Sequence, residues 1–204
     1  RITALGKVAG AAEGDPVILV TDLGLVFRMG YTAAAAAGGG TQLVELPAPH
    51  LPAAILPAQG KSTLLVATSD GTALRLAEAS IPSGGIPACR SKLRPHERVV
   101  GALLAGDAEA PLLVSSDGYV CRREMGAFPA DRARRRALPL GPEAWLAAVV
   151  CDAEQDGLIL GSADGRITCV VSPSIPVSQR AGRGKQVVEG GWAATVSMAA
   201  GIAG

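Results

Sequence analysis

The side chains able to do acid–base, nucleophilic or metal chemistry are few and do not assemble along the chain. The two histidines, His50 and His96, each lie beside a proline in a turn-like context. The four cysteines, Cys89, Cys121, Cys151 and Cys169, form no C-x-x-C pair and have no histidine at ligand spacing, so no zinc site is expected. Cys121, Cys151 and Cys169 sit in apolar runs and are expected to be buried, reduced core thiols. No Ser–His–Asp order, phosphate-cradling P-loop or dinucleotide fingerprint is present. The reading is a non-catalytic chain with no metal and no cofactor.

What the chain does concentrate is cationic side chains. Arg90, Lys92, Arg94 and Arg98 form one group, and Arg122, Arg123, Arg132, Arg134, Arg135 and Arg136 a second. Arg180, Arg183 and Lys185 form a third, with Gln179 at its edge. Guanidinium and ammonium groups contact phosphate without reading sequence. The glycines within residues 178–187 would also let backbone amides approach a phosphate. A plain solvated face is the competing reading of each group. With 19 basic against 18 acidic residues the net charge is only +1, so a polyanion site must come from distribution rather than from total charge.

The elements that would position these groups repeat. Leu112 to Arg122 is an apolar run, an Asp-Gly turn and a second strand-like run. The same pattern recurs at Val17–Arg28, Leu64–Arg75 and Leu158–Cys169, with turn glycines at 24, 71, 118 and 165, a constant step of 47. A fixed period of this size marks a repeat architecture. Asp-Gly between apolar runs predicts a two-residue hairpin with positive φ at both residues, and it makes Asp70, Asp117 and Asp164 backbone rather than catalytic residues. The uninterrupted apolar runs before each turn predict strands buried on both faces. Arg28, Arg75 and Arg122 share one phase of the period, as do Ile81-Pro82, Phe128-Pro129 and Ile175-Pro176, and as do Leu46, Leu93, Leu140 and Val187. Each unit therefore reads as hairpin, apolar-Pro corner, polar or basic loop, third strand, and a fourth strand leading on.

The repeats span about 15–61, 62–108, 109–155 and 156–204, one domain over 1–204, with residues 1–14 as a closing strand from a preceding unit. Only 3% of residues are aromatic, so the core must be aliphatic, and 26 Gly with 14 Pro disfavour long helices. The Ala/Gly stretch at 33–40 carries no charge and is the poorest binding candidate. Trp145 is expected in the core, and Trp192 has no evident role. No signal peptide or apolar run of membrane length appears, which fits a cytoplasmic protein, and an opening on Arg1 is what a domain cut from a longer protein would show.

Residues 97–104 followed by 112–118, and residues 166–168 through 174–185, resemble the repeat of the C-terminal domain of bacterial type IIA topoisomerase A subunits. The resemblance covers essentially the whole chain at low identity, and its weight lies in four motifs held in phase. It implies an all-β, propeller-like β-pinwheel of about four to five blades, with a basic outer rim that bends or wraps double-stranded DNA. It further implies an accessory domain of an ATP-dependent enzyme, partnered by the rest of the A subunit and the ATPase subunit, nucleoid-associated and not itself catalytic. Gyrase carries a Gln-Arg-Arg-Gly-Gly-Lys-Gly box; the nearest stretch here, Gln179 to Lys185, departs from it at Ala181 and Arg183. That departure points to topoisomerase IV or a divergent gyrase. The DNA-contacting residues implied are Arg28, Arg75, Arg90, Lys92, Arg94, Arg122, Arg123, Arg132, Arg134, Arg135, Arg136, Gln179, Arg180, Arg183 and Lys185. A propeller-like protein-interaction scaffold without DNA binding is the alternative, favoured by the balanced charge.

Overall fold

A computed structural model describes residues 15–30, 44–58, 60, 62–89, 93–151, 157–162 and 165–188, with the backbone of Thr195–Ala199. The closing strand expected at 1–14, the 33–40 stretch, Arg90, Lys92, Asp164 and Trp192 lie outside the described residues. Among those described the chain is all-β, with three single 3-10 turns and no α-helix.

The strands follow one plan. β1 (Pro16–Thr21) and β2 (Leu25–Gly30) form the first hairpin, and β3 (Pro52–Pro57) returns beside β1. β4 (Thr63–Thr68) and β5 (Thr72–Ala77) form the second; the chain then leaves as β6 (Ile86–Pro87), which pairs back onto β2, and returns as β7 (Val99–Ala105) beside β4. After β8 (Leu112–Ser115) and β9 (Tyr119–Arg123), β10 (Arg135–Arg136) pairs back onto β5, and β11 (Leu146–Val150) lies beside β8. After β12 (Gly157–Gly161) and β13 (Ile167–Val171), β14 (Val177–Ser178) and β15 (Lys185–Gln186) pair back onto β9, and β16 (Thr195–Ala199) lies beside β12. The second, third and fourth units thus each lend their third strand to the sheet before. β3, β7, β11 and β16 are the inner edges, packed against one another in turn, and the lent strands are the outer edges.

This stacking explains the uninterrupted apolar runs. Leu64 and Val66 point into a cluster shared with the first sheet, while Leu65 and Ala67 point into a cluster shared with the third. Leu113 joins that second cluster, and Leu112 and Val114 join one shared with the fourth sheet. A strand with a hydrophobic neighbour on both sides has no polar face to display. The apolar-Pro corners become the ends of the 3-10 turns: Ile81, Phe128 and Ile175 are buried and donate their N–H groups to Glu78, Met125 and Ser172 carbonyls.

Three expectations need correction. The hairpin loops are not two-residue turns with both residues at positive φ. Only the glycines are left-handed, Gly71 at 78° and Gly118 at 84°, and each donates to the carbonyl three residues back, Thr68 or Ser115. The loop is a type I turn closed by a glycine bulge, which spares the aspartate the left-handed region. Of the cysteines, Cys89 and Cys121 are buried, but Cys151 is half-buried, and Cys169, on β13, where no further sheet packs among the described residues, is exposed. Trp145 precedes β11 rather than lying in it and is 46% exposed.

Candidate nucleic-acid interface

The lent strands place the basic loops at matching positions. Connectors 82–89, 129–138 and 176–188 each run along the outer edge of the preceding sheet, so Arg132–Arg136 lie beside β5 and Arg180–Lys185 beside β9 by the same arrangement. A turn residue common to all four units anchors it. Thr21, Thr68, Ser115 and Ser162 recur at steps of 47, a signal present in the sequence but not used in reading it. Their hydroxyls accept from the N–H four residues on at Leu25, Tyr119 and Arg166, and the Thr68 hydroxyl instead bonds Asp70 and Thr72. Close approach is the second device. A Cβ on Gly71 would collide with the Leu138 carbonyl, and one on Gly118 with that of Val188, so these glycines admit the incoming connector.

The expected arginines divide by where their head groups go. Arg28, Arg75 and Arg122 occupy one register position on β2, β5 and β9, opposite Ile18, Leu65 and Leu112. There Arg75 is 13% exposed in its side chain and binds Asp107 and the Met125 carbonyl, both at 3.0 Å. Arg123 is buried over the Phe128 ring, 4.4 Å from its centroid, and donates to the Arg136 and Ala137 carbonyls. Burial holds its pKa below the usual arginine value. Arg132, at a φ of 63°, donates to the Pro87 and Ala88 carbonyls and so clamps the neighbouring connector. Arg134 is paired with Glu97, a buried carboxylate that also accepts from the Arg94 N–H at 2.9 Å. The Arg134–Glu97 hydrogen bond raises the Arg134 pKa above the ordinary arginine value. Arg75, Arg123, Arg132 and Arg134 thus direct their head groups to carboxylates and carbonyls of the domain itself.

Others face solvent. Arg94 and Arg98 are exposed near Asp70 and Asp22, at 3.9 and 4.0 Å. Arg135 bonds Asp131 at 2.9 Å. Arg183 lies 4.0 Å over the Tyr119 ring and binds Asp117 at 2.7 Å. Gln179 donates to Glu124 at 3.3 Å and Lys185 reaches the Ser174 carbonyl at 3.5 Å. Arg136 and Arg180 are exposed, with no side-chain partner among the described residues. Asp70 and Asp117 belong to this surface. Burial pushes both carboxyls up, but bonds from Thr68 and Thr72 to the first, and from Ser115 and Arg183 to the second, outweigh it and leave both below the ordinary value.

No protein-family model and no curated protein sequence matches this chain. Solved structures do. The C-terminal domain of DNA topoisomerase IV superposes with a TM-score of 0.73 at 18% identity, covering 91% of this chain and 62% of that one. A DNA gyrase A C-terminal domain gives 0.71 at 16%, over 94% and 68%, and the E. coli ParC C-terminal domain 0.66 at 17%, over 85% and 71%. The fold is the β-pinwheel. The chain spans less than two thirds of the length of the topoisomerase IV domain. Within this pinwheel, the strand lent backward and the inner edges facing one another are the features that a plain stack of hairpins would lack. Among the described residues no His, Cys, Asp and Glu cluster suited to a metal ion occurs, and no helix is long and apolar enough to cross a membrane.

Proposed function

We propose that this pinwheel is a non-catalytic accessory domain of a type IIA topoisomerase A subunit, of the topoisomerase IV or divergent gyrase kind, that holds double-stranded DNA along its outer rim. It would act with the rest of the A subunit and its ATPase subunit in the cytoplasm, at the nucleoid. The observation that carries the reading is that the two basic connectors, 129–138 and 176–188, lie on the outer edges of successive sheets. Arg136, Arg180, Arg183 and Lys185 are the principal contacts proposed, joined by Arg94, Arg98, Arg135 and Gln179, and by Arg90 and Lys92 of the same connector family. A bend follows from a duplex tracking a curved edge, and affinity from counterion release. Because Arg94, Arg98, Arg135 and Arg183 already have carboxylate neighbours, binding is expected to be weak, with a salt slope set mainly by Arg136, Arg180 and Lys185.

The experiment is a salt titration of binding to a linear duplex. The Arg136→Ala, Arg180→Ala, Lys185→Ala triple variant should lower affinity for all sequences alike and flatten the log–log salt slope by about 2–3. A protein-interaction scaffold is the second reading, favoured by the arginines spent on internal carbonyls and carboxylates. Absence of any shift with linear or supercoiled DNA at low salt and micromolar protein decides for it.

A further inference from the structure

The interface between the first and second sheets is built like that between the second and third, but its filling differs. Ile86 lies opposite Val26 and Arg135 opposite Ala73, one period on, so Gly85 holds the register place of Arg134 and Cys89 that of Leu138. The same alignment is seen at Ala88 and Ala137, whose N–H groups bond the carbonyls of Gly24 and Gly71 at 2.7 and 2.9 Å. Between the second and third sheets Leu138 is 1% exposed and Arg134 runs inward to Glu97. Between the first and second, a glycine and a cysteine take the places of those two large side chains, and His50 stands one period before Glu97. The space they give up is open. A cavity of about 540 Å³ lies there, within the size range of small-molecule sites.

We infer that this cavity is a binding site for a small organic carboxylate with an apolar body. The walls that would take the body are Leu25, Val66, Leu74, Leu93 and Val99, with the Cys89 thiol among them. Arg94, Arg98 and His50 also line the cavity and would take the carboxylate. The two arginines are not hydrogen-bonded to carboxylates: Asp70 is 3.9 Å from Arg94 and Asp22 4.0 Å from Arg98, and neither aspartate lines the cavity. His50 Nδ1 lies 2.9 Å from the Thr21 hydroxyl, whose oxygen already accepts the Leu25 N–H at 2.8 Å. The hydroxyl proton therefore goes to Nδ1, and Nε2 carries the ring hydrogen as a donor. Apolar walls with cationic and N–H donors, and no acid among the lining side chains, select an anionic head on an apolar body over a cationic one.

The test uses the whole 204-residue chain and octanoate as the probe, titrated by calorimetry, with octylammonium as a counterpart of the same body and opposite charge. Octanoate should bind, and octylammonium roughly tenfold more weakly. Alkylation followed by mass spectrometry reports the place: with octanoate at ten times its Kd the Cys89 rate should fall roughly tenfold, while exposed Cys169 keeps its rate. Cys89→Leu, which restores the side chain of the next interface, should abolish octanoate binding without lowering Tm. Arg94→Ala, at a side chain 75% exposed, should leave Tm unchanged and weaken octanoate roughly fivefold. No octanoate binding at millimolar concentration, equal slowing of Cys89 and Cys169, undiminished binding by a folded Cys89→Leu domain or by Arg94→Ala, or octylammonium binding as tightly as octanoate would each overturn the assignment.

Discussion

Two connectors of the same design use their arginines in opposite ways. The third unit's connector carries four arginines within five residues, 132–136, the densest positive charge in the chain. Two of them are tied down inside the domain, Arg132 on carbonyls of the previous connector and Arg134 on buried Glu97, while Arg135 pairs with Asp131 at the surface. The fourth unit's connector is sparser, yet Arg180, Arg183 and Lys185 are all exposed. Charge density along a sequence therefore does not measure charge available to a ligand. What decides is whether a carboxylate or carbonyl from another unit arrives at the same place.

The comparison breaks most sharply at Glu97. Arg134→Ala strands a carboxylate that is 2% exposed in its side chain, and should destabilise the domain by about 3–5 kcal/mol. Urea unfolding measures it, and Glu97→Gln with Arg134→Met together should recover much of the loss. If Arg134→Ala were nearly neutral in stability while weakening DNA binding, the division between the two connectors would be wrong.

Gly118→Ala comes next. The left-handed backbone alone costs about 1–2 kcal/mol, and the collision with the Val188 carbonyl adds to it. Gly165→Ala, at a φ of 85° but with no neighbour within 4 Å, should cost only the first part. Thermal unfolding of the two variants separates conformational strain from connector docking.

A smaller effect concerns acid. Asp70 and Asp117 have carboxyls depressed by their hydrogen bonds. Their contribution to stability is present above the unfolded carboxyl value of about 3.9 and is lost as pH falls through the lower folded value. Asp117→Asn should lower stability by about 1 kcal/mol near neutral pH and reduce its slope below pH 4, as followed by circular dichroism. A steeper acid slope in the variant would contradict this.

The smallest effect on stability is expected where the proposed effect on DNA is largest. Arg180→Ala with Lys185→Ala should stay within about 0.5 kcal/mol of the parent yet flatten the salt dependence of DNA binding by about 2. The matching pair Arg132→Ala with Arg134→Ala should do the reverse, with a large stability loss and little change in salt slope once folded protein is compared.

Much of the fold was legible before any coordinates. The step of 47 located all four hairpins, and the apolar-Pro corners located the three 3-10 turns. Both signals are local, arising from chain stiffness and from burial of a strand by its neighbours. The loop type is not legible because two local solutions share one sequence: Asp-Gly suits a two-residue turn, and equally a type I turn closed by a glycine bulge. Arg123 shows the harder limit. It follows Arg122 in a charged run, and only the Phe128 ring and the Arg136 carbonyl folding over it turn it into an interior residue.

By itself the sequence determined the periodicity, the β character and the aliphatic core, because each depends on spacing within one unit. The tertiary structure alone decided which sheet each lent strand joins and which arginines are consumed by Glu97, Asp107 or a carbonyl. Those outcomes are contacts between units tens of residues apart, and a cation's pairing is a property of what lies across the gap rather than of the residues beside it in the chain.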